Sequence, residues 1–241
     1  MPKFPHPSTI RGIVFDCDGL LVDTEEFFTM AQSAIFERYG FPFGAEQKSL
    51  LIGNPISVLG TIMSEHFGVP DDAEAIADEI ETQAFELLRH EMLPLPGVLS
   101  FVQRCALIVP IAVASNSPRK LLDRTLAQSG LAPYFANSIS GEEVANPKPA
   151  PDIYTAALAL IGVEPGEAIA FEDSRVGATA AKSAGISLVG IPSQGRQDIG
   201  ADWHVSSLLD SELLAWTNGL GARAQSSSQI RSDGSPNRVT R

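Results

Sequence analysis

The chain has 241 residues, of which 44% are hydrophobic and 19% charged, a balance that suits a soluble globular fold with one large domain or a domain plus a modest insertion. Formal net charge is −12, and residues 222–241, with four Arg and one Asp, leave −15 on the remainder; such a surface repels nucleic-acid backbones and anionic lipid, so neither is expected as a partner. No apolar run reaches the roughly 18 residues of a membrane span, the N-terminal segment lacks the pattern of a secretory signal, and Cys17 and Cys105 make neither a disulfide framework nor a zinc spacing, which together point to a cytoplasmic protein.

The first strong signal is the apolar run from Ile10 to Phe15, which stops at Asp16 and reads as a buried parallel strand. From about Glu25 to Leu93 the pattern turns helical. Apolar residues recur at helical spacing over Glu25–Tyr39, Pro55–Phe67 and Asp71–Glu91, punctuated by Gly40, Gly53-Asn54-Pro55 and Gly68-Val69-Pro70. The return point is Leu93-Pro94-Leu95-Pro96-Gly97. Further apolar runs cover Leu107–Ala114, Ala168–Phe171 and Ile186–Ile191, and stop at Ser115, Glu172 and Pro192. Helical patterns over Pro118–Ser129, Pro151–Ile161 and Ser174–Ala184 alternate with them, with Gly130, Gly162 and Gly185 as stops. Alternating strands and helices imply a doubly wound, Rossmann-like α/β core with a parallel sheet and an inserted helical cap. The expected division is 1–22 and 94–221 for the core, 23–93 for the cap, and 222–241 as a disordered tail of low apolar content.

Ligands of open parallel sheets bind beyond the carboxyl ends of the strands. The residues at those ends are Asp16 and Asp18, Ser115 and Asn116, and Glu172 and Asp173, with Lys148 in a proline-rich loop before a helix. Collected at one edge they form an acidic nest with one cation and several hydrogen-bond donors. A carboxylate at a rigid strand tip, Asp16, can attack phosphorus if a cation shields the like charges. Mg²⁺ takes oxygen ligands, and Asp16, Asp173, Glu172 and a carbonyl near Asp18 are the candidates to supply them. Gly19 lets the chain turn so that Asp18 points back, where it can act as general acid and base. Ser115 and Asn116 precede a helix and can bind phosphate oxygens, while Lys148 can balance the crowded carboxylates. Each feature alone has a plain structural explanation as a turn, a helix start or a solvated lysine; their joint occurrence at successive strand ends carries the functional reading.

These residues also carry a signature. Asp16–Glu25 (DCDGLLVDTE), Ala114–Pro118 (ASNSP), Asn146–Tyr154 (NPKPAPDIY) and Phe171–Gly185 (FEDSRVGATAAKSAG) resemble the four motifs of the haloacid dehalogenase-like hydrolase superfamily, in its phosphatase and β-phosphoglucomutase branch. The resemblance spans roughly Ile10 to Ser207. It implies Asp16 as nucleophile and Mg²⁺ ligand, Asp18 as general acid/base with its carbonyl on the metal, Ser115 and Lys148 as phosphate and charge-balancing residues, and Asp173 with Glu172 as the remaining acidic metal group. It also implies a cap that closes over the core. Asp23 and Glu25 fall where core passes into cap, and Glu25 reads equally as hinge support or as a helix-start carboxylate.

The expected activity is Mg²⁺-dependent hydrolysis of a small sugar or polyol phosphate. Carbon–halogen cleavage is disfavoured because Asp18 is present, and phosphonate cleavage is weakly supported because Lys48 is the cap's only lysine. A sugar phosphomutase of the β-phosphoglucomutase type is the alternative enzyme. That branch carries a cap arginine shortly after a glycine, whereas Gly53 is followed by Asn54, Pro55, Ile56 and Ser57, and Arg38 and Arg89 lie elsewhere. A non-catalytic phosphometabolite-binding module is the alternative of another class, disfavoured because every expected catalytic position is occupied. Asn54 reads either as a contact to substrate hydroxyls or as part of a simple break between helices. His6, His66, His90 and His204 match no metal spacing, Cys17 is expected to pack below the site, and Trp203 and Trp216 to pack the last strand and helix.

Overall fold

The computed structural model describes residues 9–87, 92–192 and 198–220, and of Glu25 the backbone alone. The expected tail, 222–241, together with His6, Arg89 and His90, lies outside the described residues.

Six parallel strands form one sheet: β1 (Gly12–Phe15), β2 (Ile111–Ser115), β3 (Ser138–Ser140), β4 (Ala168–Glu172), β5 (Ser187–Gly190) and β6 (Trp203–His204), in the order β3-β2-β1-β4-β5-β6. The helices packed with it are α5 (Val98–Ala106), α6 (Arg119–Gln128), α7 (Asp152–Ile161) and α8 (Arg175–Ser183), with a last helical stretch over 211–220. This is the doubly wound arrangement that the alternating pattern predicts. The strand order reverses between β1 and its two neighbours, and a crevice opens at such a switch point.

Alternation along the strands sorts the core into two layers. Ile13, Phe15, Ile111, Val113, Ile169 and Phe171 enter one apolar cluster, while Val14, Ala112, Ala114, Ala168 and Ala170 enter the other. On the first side the rings of Phe15 and Phe171 stack with centroids 5.1 Å apart, and Phe101 meets both edge-on. The alanines on the second side let Tyr154 and its helix approach the sheet closely.

Between β1 and α5 the chain forms α1 (Glu25–Arg38), α2 (Ala45–Leu51), α3 (Ile56–Phe67) and α4 (Ala73–Leu87). The helices α3 and α4 pack so tightly that a Cβ on Gly60 would overlap the carbonyl of Ala73. The outgoing and returning segments lie side by side: Val22 bridges Pro94, and Leu95 N–H donates to Leu21 C=O at 2.9 Å. No helix among the described residues is long and apolar enough to cross a membrane.

Several elements depart from the sequence pattern. The apolar run from Leu107 starts too early for a strand: Leu107 is exposed, residues 107–109 turn, and β2 begins at Ile111. The sequence pattern does not mark the helices α2 and α5 or the strand β3. Gly130, Gly162 and Gly185 do end helices with positive φ, between 66° and 78°, as the stop signals predict.

Candidate active site

The sheet register assembles the site. Phe15 pairs with Phe171 across β1 and β4, so the next residues on each strand, Asp16 and Glu172, emerge side by side. The Asp16 N–H donates to Phe171 C=O at 3.0 Å and fixes that exit. Ser115 ends the adjacent β2. Asp16, Glu172 and Asp173 each offer a carboxylate oxygen within 4.8 Å of the others, and all three are buried.

Lys148 is 3% exposed and threads between them. Its Nζ donates to Asp16 Oδ1 at 2.5 Å and to Glu172 Oε1 at 2.7 Å. Burial alone would push its ammonium down, but Asp16 and Glu172 hold it above the ordinary lysine value. Asp16 is pushed well above the usual carboxylate range, by burial first and by Glu172 second, with Lys148 opposing. The crowding is what a divalent cation relieves, and the donor set is all oxygen, so these residues fit a hard divalent metal ion.

Glu172 is the most constrained group. Oε1 also accepts from Tyr154 Oη at 2.8 Å, and Oε2 accepts from the N–H groups of Asp173 and Ser174 and from Ser174 Oγ. A Cβ on Gly177, in the first turn of α8, would overlap its carboxylate. The absence of a side chain at Gly177 therefore makes room for Glu172.

Asp18 faces a separate cradle. Its Oδ1 accepts from Thr24 Oγ1 at 2.8 Å, and its Oδ2 accepts from Ser115 Oγ at 2.6 Å and Ser117 Oγ at 2.8 Å. Gly19 makes the intervening turn at φ 86°, and a Cβ there would come 2.5 Å from Asp173 Oδ2. Thr24 is the residue preceding α1, so the start of the helical segment is tied to the site through Asp18. Cys17 points away and is fully buried. Burial and the neighbouring aspartates push its thiol well above the ordinary range, which makes it a poor nucleophile.

Two expected contacts take another form. Asn116 Oδ1 accepts from the Lys148 N–H at 2.9 Å, and Nδ2 donates to the carbonyls of Lys148 and Gly53. Its amide stitches the Lys148 loop to β2 and reaches across to the helical segment, and the residue lines the cleft. Asn54 Nδ2 donates to Leu50 C=O and Leu51 C=O, closing the end of α2, although the residue does line the cleft. Asp23 is exposed, and the side chain of Glu25 lies outside the described residues. Thr24, Ser117 and Tyr154 join the site without having been singled out. All three stand inside the strings quoted above, but nothing in their types foretells which carboxylate each meets.

A cleft with about 110 Å³ of interior space lies between the strand ends and the helices above them. Asp16, Asp18, Asn116, Ser117, Lys148, Asp173 and Ser174 line it from the sheet side, while Phe28, Gln32, Lys48, Leu51, Ile56 and Leu59 line it from the helical side.

Comparison with known proteins agrees with this geometry. The family model for haloacid dehalogenase-like hydrolases matches residues 10–185. A probable pseudouridine-5'-phosphatase of Drosophila melanogaster is 36% identical over 190 residues, 76% of this chain and 82% of that one. A phosphorylated carbohydrates phosphatase of Thermotoga maritima is 31% identical over 180 residues, 73% and 82% of the two chains. The crystal structure of CbbY from Rhodobacter sphaeroides in complex with phosphate superposes with a TM-score of 0.74 at 25% identity, covering 87% of this chain and 99% of that one.

Proposed function

This chain belongs to the haloacid dehalogenase-like hydrolase family and is a phosphoric monoester hydrolase; we propose that it frees phosphate from a small sugar or polyol phosphate through a phosphoryl group carried on Asp16. The observation that carries this reading is the gathering of the Asp16, Glu172 and Asp173 carboxylates within 4.8 Å, with the Lys148 ammonium between two of them.

Asp16 and Asp173, with the Asp18 carbonyl, would hold Mg²⁺, which when bound neutralises and orients the phosphoryl oxygens. Glu172 completes the acidic cluster, but hydrogen bonds already reach both its oxygens, so its part is to hold Lys148 in place. An Asp16 oxygen attacks phosphorus, the bond to the ester oxygen breaks, and the leaving alkoxide takes a proton from Asp18. Water then attacks the phosphoryl group, gives a proton back to Asp18, and releases phosphate and free Asp16. The Ser115 hydroxyl, which donates to Asp18 Oδ2 here, can turn to a phosphate oxygen and free one position on that oxygen for the proton, while Ser117 holds the other. On a chain of net charge −12, Lys148 and Lys48 supply the local positive charge at the cleft.

A sugar phosphomutase needs a clamp for a second phosphate, and among the described residues no arginine lines the cleft, which favours hydrolysis. The test is phosphate release from phenyl phosphate with and without Mg²⁺. The wild-type protein should lose activity to a chelator and regain it with Mg²⁺. Asp16→Asn should lower the rate at least about a thousandfold, the scale for loss of a nucleophile. Full activity in Asp16→Asn would refute the mechanism.

A further inference from the structure

One buried polar side chain in the cleft has no partner among the described residues. Gln32 follows Phe28 by four residues and Thr29 by three, and all three line the cleft from α1. Gln32 is 5% exposed, and among the described residues its amide has neither a donor nor an acceptor partner. The other buried polar side chains of the cleft are all engaged: Asp16 with Lys148, Thr24 and Ser117 with Asp18, Ser174 with Glu172, and Asp173 in an interaction of its own. Around Gln32 the helical side is built largely from Phe28, Leu51, Ile52, Ile56 and Leu59. The Gln32 amide is not among the fully enclosed polar atoms that lack a partner, so its polar end opens onto the cleft, where a group arriving from outside the protein can take up its hydrogen bonds.

We propose that Gln32 is a specificity residue whose amide hydrogen-bonds a hydroxyl or carbonyl on the carbon body of the substrate. The inference rests on the phosphatase reading and refines it. The interior space of about 110 Å³ shares Gly19, Thr29 and Lys48 with an adjoining hollow of about 620 Å³, so the body beyond the phosphate lies along α1. Its apolar edges meet the leucine and isoleucine wall, and its one polar group directed at α1 meets Gln32. The substrate class is therefore a polyol or sugar phosphate with such a group placed away from the ester.

Gln32→Met keeps the length and removes the amide. The probes are phenyl phosphate, whose leaving group bears no hydroxyl, and the polyol or sugar phosphate that the wild-type protein hydrolyses fastest in a panel. In Gln32→Met, kcat/KM for the polyol or sugar phosphate should fall about tenfold to a hundredfold relative to phenyl phosphate, the scale of one buried hydrogen bond lost in the complex. The melting temperature of the free protein should stay level or rise. Equal effects on both probes, or no effect on either, would overturn the proposal. So would a melting temperature lowered by several degrees, because the amide would then have a partner within the protein. A wild-type protein that releases phosphate from no ester defeats the phosphatase reading itself, a result that the ratio between probes cannot mimic.

Discussion

On the sheet side of the cleft Asp18 accepts hydrogen bonds from three hydroxyls and Glu172 from five donor groups; on the helical side Gln32 accepts and donates none among the described residues. The difference follows from what holds each wall. Strand ends are fixed by the ladders of a six-stranded sheet, so carboxylates there can be held from several directions without help from a ligand. The helical wall rests on apolar packing, with α3 pressed against α4 at Gly60, and the Gln32 amide is left for whatever enters. On the proposed mechanism the reacting groups are preorganised, while selection is left to a surface that substrate completes.

The comparison breaks first at Lys148. Lys148→Met leaves Asp16 and Glu172 facing each other, buried, without their shared cation. Removing one partner of a buried pair costs about 3–5 kcal/mol, and phosphate release should fall about a hundredfold to a thousandfold. Urea unfolding and a phosphate assay measure both, and added Mg²⁺ should restore part of the stability by binding the native state. An unchanged unfolding midpoint would show that the carboxylates do not depend on the lysine.

A smaller change tests the packing under the same wall. In Gly177→Ala the new methyl group overlaps the Glu172 carboxylate, which has no slack because it is fully buried and bonded at both oxygens. Overpacking of this kind costs about 1–3 kcal/mol, and kcat should drop for every phosphate ester alike, since Glu172 positions Lys148. The smallest catalytic effect belongs to Gly60→Ala. There the methyl meets the Ala73 carbonyl between α3 and α4, at a similar cost in stability of about 1–3 kcal/mol. Hydrolysis of phenyl phosphate should change less than that of a polyol phosphate. If Gly60→Ala slowed both probes as severely as Gly177→Ala, the separation of chemistry from selection would fail.

The sheet side was largely legible in the sequence because a buried parallel strand is a continuous apolar run, and the first polar residue after it marks its carboxyl end. Asp16, Ser115 and Glu172 were placed by that rule, and Lys148 by its position in a proline-rich loop. What each side chain touches was less legible. The Asn116 amide is taken up by the Lys148 peptide 32 residues away, a pairing that only the register of neighbouring strands creates. Asn54 spends its N–H groups on the carbonyls of α2, a helix whose short apolar pattern gave little period to read. The strand β3 has only three residues and is half-buried in part, so it lacked the run that betrayed β1 and β4. Leu107 shows the converse, an apolar residue that belongs to a turn and stands in solvent.

The measurement that bears most directly on the chemistry is acid quenching during turnover of phenyl phosphate with Mg²⁺, followed by mass spectrometry of the digested protein. A single phosphoryl group on the peptide that contains Asp16, absent from Asp16→Asn, is the predicted result. A phosphoryl group on any other residue, or none in protein turning over at its full rate, would contradict it.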